Sequence, residues 1–421
     1  MSATATHRAI DAVWRIESAR IIAVLTRMVR DVGLAEDIAH DALLAALERW
    51  PKAGIPDNPG AWLMATAKHR AIDLVRRDAL IDRKHNELAI GLDTAHVAPD
   101  EGSLDDGVGD DMLGLMFMSA HPILSREART ALTLKLLGGL TTEEIARACL
   151  TPETSIAQRI VRAKRTLRDA RVSFETPDAD ERARRLASVL EVIYLIFNEG
   201  YSATSGEELT RPTLCEEAMR LGRVLAALTP AEAEVHGLVA LMELQASRLR
   251  ARVDRDGTPV LLLDQNRARW DQLLIRRGLS ALSRAESLGS MRGAYTLQAA
   301  IAACHARATV AADTNWVRIA ELYDELLDVA ASPVVELNRA VAVSMAFGPA
   351  AGLEILDALV ADPALANYHL LAAARGDILE RLQRTSEART EFLRAASRAL
   401  NQRERAVLLE RAAALERMQL S

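Results

Sequence analysis

Aromatic residues make up only 4% of this chain, and three cysteines stand far apart at positions 149, 215 and 304. No apolar run approaches the roughly 20 residues of a membrane span. Each scarcity excludes something. With half the residues hydrophobic and alanine abundant, few aromatics favour packed helices over sheets, so the fold expected is all-α. The cysteine spacing excludes a disulfide framework and a zinc cluster, and fits a reduced compartment. The start, Met1 to His7, has no basic segment followed by an apolar core, so a soluble, cytoplasmic protein without a membrane partner is expected. Signatures of catalysis are missing too. There is no Gly-Lys-Ser/Thr phosphate loop, no His-Glu-x-x-His and no glycine fingerprint after a strand. His236, His305 and His369 sit in apolar helical context, where a structural histidine is the expected reading. The expectation is therefore no enzyme, no metal and no cofactor.

A net charge of -6 excludes the whole protein as a basic nucleic-acid binder, so only a segregated charge pattern permits that role. The 421 residues are enough for two or three domains. Helical spacing of Ile10, Val13, Trp14, Ile21, Val24, Leu25 and Met28 marks a first helix ended by Gly33. A second runs from about Ala35 to Trp50. On it Asp37, Asp41, Leu44 and Glu48 share one side, and Ile38, Ala42 and Ala45 line another. The acidic stripe is either a solvated face or a docking face for a protein.

Asn58 can cap a third helix, with Pro59 at its first position, where a missing N–H costs nothing. At about 100° per residue, Leu63, Ala67, Ala71, Leu74 and Val75 fall on one side. Trp62, Thr66, His69, Arg70, Asp73, Arg76 and Arg77 fall on the other, and Lys68 is grouped with this basic set. The tryptophan is thus on the charged side. It is either a stray aromatic on a solvated face or a platform on which an unpaired base stacks while arginines hold phosphates.

Residues 86–111 carry eight acidic side chains and no lysine or arginine, interspersed with glycine and proline. This predicts a flexible acidic linker, extended to residue 120, that either only separates domains or mimics a nucleic-acid backbone. Ser125 then opens a helix ending at Gly138-Gly139. Thr141-Thr142-Glu143-Glu144 reads as a capping box, and Thr151-Pro152 as the start of a long helix to about Arg171. Helix, tight turn, helix is the helix-turn-helix pattern. Ile156, Ile160, Ala163 and Leu167 make its buried stripe. Thr154, Ser155, Gln158, Arg159, Arg162 and Arg165 are residue types that reach base edges and phosphates in a major groove.

Beyond residue 177 the chain reads as helical, with a small hairpin expected over Asp254 to Asp264. Gly376, Leu379, Ala388, Phe392 and Ala395 fit a tetratricopeptide helix pair, and Ala351, Ile355, Ala358 and Pro363 the second half of an earlier one.

Taken in order, residues 34–43, Asn58-Pro59-Gly60-Ala61-Trp62-Leu63 with Ala71-Ile72-Asp73-x-x-Arg76-Arg77, and the helix-turn-helix resemble an extracytoplasmic-function RNA polymerase sigma factor over residues 10–172. The remainder, with residues 194–201 and 332–341, looks like the tetratricopeptide-like extension of one subgroup. The resemblance implies a sigma region 2 domain at 8–85, a linker at 86–120, a sigma region 4 domain at 121–172 and a helical regulatory domain at 177–421. It implies that Asp37, Asp41, Leu44 and Glu48 dock on the β′ clamp helices of core RNA polymerase, and that region 4 meets the β flap. It further implies that Asn58, Trp62, Thr66, Lys68, His69, Arg70, Asp73, Arg76 and Arg77 face the promoter −10 element, with the loop from Lys52 to Asn58 holding a flipped base. Thr154 to Arg165 would face the −35 element. Many relatives have Asn or Arg where this chain has His69, which leaves open the −10 base it would meet. An intramolecular contact between the extension and the sigma domains is a further expectation. The alternative is a conventional helix-turn-helix regulator with a repeat sensor domain.

Overall fold

Caps and stripes written into the sequence give a succession of helices in the computed structural model. It describes residues 3–88, 108–149, 151–174, 179–202, 209–255, 257–289 and 292–420. The helices are α1 Ala3–Val29, α2 Val32–Ala53, α3 Pro59–Leu88, α4 Val108–Ser119, α5 Arg126–Leu136, α6 Thr142–Ala148, α7 Glu153–Asp169, α8 Ala179–Tyr201 and α9 Pro212–Leu228. They continue as α10 Ala233–Ala246, α11 Gln272–Leu288, α12 Ala294–Arg307, α13 Trp316–Ala330, α14 Pro333–Phe347, α15 Pro349–Leu359, α16 His369–Arg381, α17 Thr385–Arg398 and α18 Gln402–Leu420. The fold is all-α. Among the described residues the expected hairpin reduces to a single antiparallel bridge, Val253 with Pro259, because proline has no N–H to extend a ladder.

The chain divides into two compact units, residues 1–193 and 194–421. The division falls inside α8, not at residue 177 as expected. The reason is local. Arg126 and Arg129 of α5 hold Glu191, and the Ser188 hydroxyl donates to the Ala120 carbonyl, so the first half of α8 belongs to the helix-turn-helix.

In the first unit α1 is the central helix, with Ile21, Ala23, Val24 and Leu25 nearly fully buried and α2, α3 and α4 packed around it. Two expectations change here. Gly33 does not end the first helix. Arg30 turns the chain at φ 55°, and Asp31 caps α2 by accepting from the backbone N–H groups of Gly33 and Leu34. Residues 108–119 are not linker. They form α4, whose Leu113, Leu115, Met116, Phe117 and Met118 are buried. The acidic pair Asp110-Asp111 at its first turn, which reads as linker composition, instead suits a helix N-terminus. The rest of the expected linker, residues 89–107, lies outside the described residues, and so does the mimicry reading.

The second unit stacks antiparallel helices. One core gathers α10 to α14, another α14 to α18. At Gly376 a Cβ would lie 2.7 Å from the Phe392 ring, so only glycine lets α16 and α17 close. In the earlier pair the register differs by one. Gly352, Leu353 and Leu356 are buried, while Ala358 is exposed. A Cβ on Gly352 would meet Ser344 at 2.4 Å, so that position sets the closest approach of α14 and α15.

Candidate nucleic-acid interface

The third helix starts as its sequence dictates, the Ala61 N–H donating to the Asn58 side chain at 3.0 Å. Leu63, Ala67 and Ala71 are buried, which turns Thr66, His69, Asp73, Arg76 and Arg77 outward in varying degree. Trp62 is not a stray aromatic. Its ring stands edge-on to that of buried Trp50 at 5.4 Å and 70°, a favoured arrangement for two aromatic quadrupoles. The second indole braces the first and leaves it half-buried at the surface. Beside it lies a loop shorter than expected, from Gly54 to Asn58, because α2 runs through Pro51 and Lys52 to Ala53 and turns off at Gly54 with φ 92°.

One residue of the basic set falls away from the rest. Lys68 is two-thirds of a helical turn from Trp62, and its charge acts on Asp111 of α4. Arg70 does a different job from its neighbours: it pairs with Asp41 of α2 at 3.2 Å, so the acidic stripe and the basic face are joined at that point. Asp37, Asp41, Leu44 and Glu48 are all exposed, Leu44 at 56%, on one side of α2. Leu44 is thus an apolar side chain open to solvent between carboxylates.

In the helix-turn-helix, Ser125 accepts from the Ala128 N–H, and Thr141 with Glu144 forms a reciprocal capping box. Gly139 takes φ 62° in the turn between α5 and α6. Thr151 does not cap α7. That helix starts at Glu153, so Thr151 lies one residue too early, and its hydroxyl donates to the Cys149 carbonyl instead. Ile156, Ile160, Ala163 and Leu167 are buried as expected. Thr154, Gln158, Arg162 and Arg165 are exposed, with Ser155 and Arg159 half-buried. Arg165 is held by Asp169 at 3.3 Å, whereas Arg159 and Arg162 have no ion-pair partner among the described residues.

Sequence reasoning missed the group that joins these parts. Glu36 of α2 is 4% exposed, accepts from Lys164 of α7 and pairs by charge with Lys135 of α5 at 3.6 Å. Arg15 of α1 reaches Glu144 of α6 at 2.8 Å. The available signal was a carboxylate at the margin of the apolar stripe of α2, beside Ala39. Next to this clasp a cleft of about 740 Å³ is lined by Arg27, Arg30, Asp31, Asp111, Lys164 and Arg168 among others. Burial raises the Asp111 pKa above the usual carboxylate range, opposed by Arg27 at 3.2 Å. Among the expected structural histidines, His305 is buried edge-on against Trp316, His369 pairs with Glu404 at 3.3 Å, and His236 bonds to the Pro230 carbonyl. Among the described residues no cluster of His, Cys, Asp and Glu has metal-binding geometry, and no helix is long and apolar enough to cross a membrane.

Comparisons with known proteins match these parts. Residues 15–80 fit the model of Sigma-70 region 2, residues 115–167 that of Sigma-70, region 4, and residues 185–286 that of a family of unknown function (DUF6596). An uncharacterized protein of Rhizobium meliloti is 42% identical over 400 residues, which is 91% of this chain and 90% of the relative. The probable ECF RNA polymerase sigma factor SigI of Mycobacterium tuberculosis is 27% identical over 181 residues, 42% of this chain and 60% of that protein. The ECF RNA polymerase sigma factor SigC of the same species is 28% identical over 148 residues, 35% of this chain and 74% of that protein. The start of the region 4 match at residue 115 agrees with α4 belonging to the helix-turn-helix rather than to a linker. With two sigma regions in order and a helical unit after them, the chain belongs to the extracytoplasmic-function sigma factors of the sigma-70 family and carries a C-terminal extension.

Proposed function

We propose that this sigma factor docks on core RNA polymerase through Asp37, Asp41, Leu44 and Glu48, and reads and opens the −10 element with the Trp62 face of α3. In the same reading, Thr154, Ser155, Gln158, Arg159, Arg162 and Arg165 of α7 meet the −35 element. The observation that carries it is the Trp62 and Trp50 pair. A braced indole, with exposed Arg76 and Arg77 about 21 Å further along the same helix, offers stacking of about 1–3 kcal/mol per base. That offsets the few kcal/mol of unpairing a flipped base. No bond chemistry is asked of this chain; the polymerase supplies it. Asn58, Thr66, His69 and Asp73 complete the −10 surface. Lys68 leaves it, and Arg70 serves to hold Asp41 in place.

The clasp on Glu36 adds a step. Promoter elements centred about 25 base pairs apart are separated by about 85 Å of B-form DNA, whereas Lys164 and Glu36 are in contact. Regions 2 and 4 therefore part when the promoter is engaged, and the β flap and β′ clamp helices of the polymerase supply the surfaces that hold them apart. The C-terminal extension regulates this opening. Mapping transcript 5′ ends after overexpression tests the reading: new starts should share one −35 and one −10 sequence, and starts with no common upstream element would overturn it.

A further inference from the structure

The C-terminal unit holds a cluster that the sigma reading does not use. Tyr201 at the end of α8 and Trp270 before α11 are nearly buried, and three arginines pack against them. The Arg252 guanidinium lies 3.9 Å from the centre of the Tyr201 ring. Arg248 lies 5.8 Å from the centres of both rings and donates to the Tyr201 hydroxyl at 2.8 Å. Arg267 lies 4.8 Å from the centre of the Trp270 ring. The order of neighbours is thus Arg252, Tyr201, Arg248, Trp270, Arg267. All five fall within residues 185–286, the stretch that matches the family of unknown function.

Ring contacts account for part of this arrangement, since a cation over an aromatic face is attracted by its quadrupole. They do not account for the charge. Elsewhere in the unit several half-buried arginines end on carboxylates: Arg211 on Glu199, Arg223 on Glu243, Arg339 on Asp324 and Arg375 on Asp357. Arg248, Arg252 and Arg267 have no such partner among the described residues. The mutual repulsion is felt, because burial and then Arg248 depress the Arg267 pKa, with Asp313 opposing in part. Donors are orphaned as well. The Nε groups of Arg252 and Arg267 and the indole N–H of Trp270 are buried with nothing to donate to. Arg267 is anchored by its other nitrogens, which donate to the carbonyls of His305 and Ala308 and to the Thr314 hydroxyl. The Arg252 side chain has no hydrogen bond among the described residues. Among the described residues only Asp313 acts against the charge of Arg267, and no carboxylate pairs with any of the three. Gathering three cations in a half-buried place with so little counter-charge is costly, and an anion that supplies acceptors removes both costs.

We infer that this cluster is a binding site for a small oxyanion-bearing ligand, with Arg252 and Arg248 as its principal donors and Arg267 as fixed background charge. Guanidinium forks match phosphate and carboxylate alike, so the shared chemistry is a multiply charged oxyanion. The inference stands on binding alone and does not depend on the extension governing initiation.

The test uses the full-length protein, with thermal melting and calorimetry against inorganic phosphate, pyrophosphate and citrate at constant ionic strength, and chloride as the reference. The expected result is saturable binding of at least one of them, raising Tm by about 5 °C at a hundredfold excess over Kd. Whether a phosphate or the citrate wins identifies the source of the oxyanion. Arg252→Gln and Arg248→Gln should each weaken binding at least tenfold, while Arg277→Gln on the exposed face of α11 should leave it unchanged. A second readout separates binding from packing. Without anion, Arg252→Gln should leave Tm unchanged or raise it, because relief of the repulsion from Arg248 and of the orphaned Nε offsets the lost contact with the Tyr201 ring. Absence of a shift with all three probes, a shift retained in both cluster variants, or a Tm lowered by Arg252→Gln without anion would each overturn the site.

Discussion

The two units use arginine in opposite ways. In the first, Arg76, Arg77 and Arg162 stand exposed and unpaired among the described residues, on helices whose other faces are buried. In the second, Arg248, Arg252 and Arg267 have no ion-pair partner among the described residues yet are half-buried among aromatic rings, in a unit where several arginines of similar burial are paired. An exposed unpaired cation costs little and suits a long polyanion whose counterions it displaces. A half-buried one is costly to leave alone and suits a ligand that enters a defined place. The lesson is that charge balance read residue by residue is more informative than the net value of -6, which argues against nucleic acid.

The comparison can be broken most severely on α2. Asp37→Lys with Asp41→Lys should lower affinity for core polymerase by about a hundredfold or more, since like charges set against a complementary surface cost several kcal/mol; competition with a second sigma factor for limiting core measures this. Trp62→Ala should reduce transcription from a duplex promoter by roughly tenfold, the equivalent of about 1.4 kcal/mol within the stacking range. A template already open at the −10 element should recover most of the loss, and equal losses on both templates would remove the stacking role. In the second unit, Gly376→Ala forces a methyl into the Phe392 ring and should destabilise by about 1–3 kcal/mol, read as a lower Tm. Smaller still, Arg76→Gln and Arg77→Gln should each flatten the salt dependence of promoter affinity by about one unit of slope. Arg252→Gln should not, which is the sharpest form of the contrast.

A pH prediction bears on the second unit alone. His305 is held neutral by burial and by the cations Arg248 and Arg267, which push its pKa down to about 3. The unfolded chain takes up that proton near pH 6.5 while the folded one refuses it until about 3. Stability from this group is therefore present above pH 6.5 and lost as pH falls across that window. His305→Gln should flatten the acid limb of the unit's melting profile, and an unchanged limb would show that another group controls it.

Much of the fold was legible because it is local. Asn58 with Pro59, the Thr141 and Glu144 box and the stripe from Ile156 to Leu167 each need only a few neighbouring residues to declare a helix and its buried side. What was illegible joins distant positions. Glu36 meets Lys135 and Lys164 across about a hundred residues or more, and no helical period relates them. Trp50 braces Trp62 from the end of a different helix. The helix α4 was hidden because Asp110 and Asp111 continue the acidic composition before them, although at a helix start they are stabilising. The candidate site was legible in residue type and less so in grouping: Lys68 shares the charge of its neighbours but not their side of the helix, and Arg70 is spent on Asp41. The arginine cluster around Tyr201 and Trp270 had no signal in the sequence, since its members come from three separate segments.

The most direct test is transcription in a purified system containing this chain, bacterial core polymerase and a promoter found by transcript mapping. The account predicts a specific transcript that requires both the chain and the core, is lost in the Asp37→Lys, Asp41→Lys variant, and is preceded by little promoter binding from the chain alone. Tight binding of the isolated chain to its operator, with transcription indifferent to that double variant, would contradict it and favour a conventional regulator.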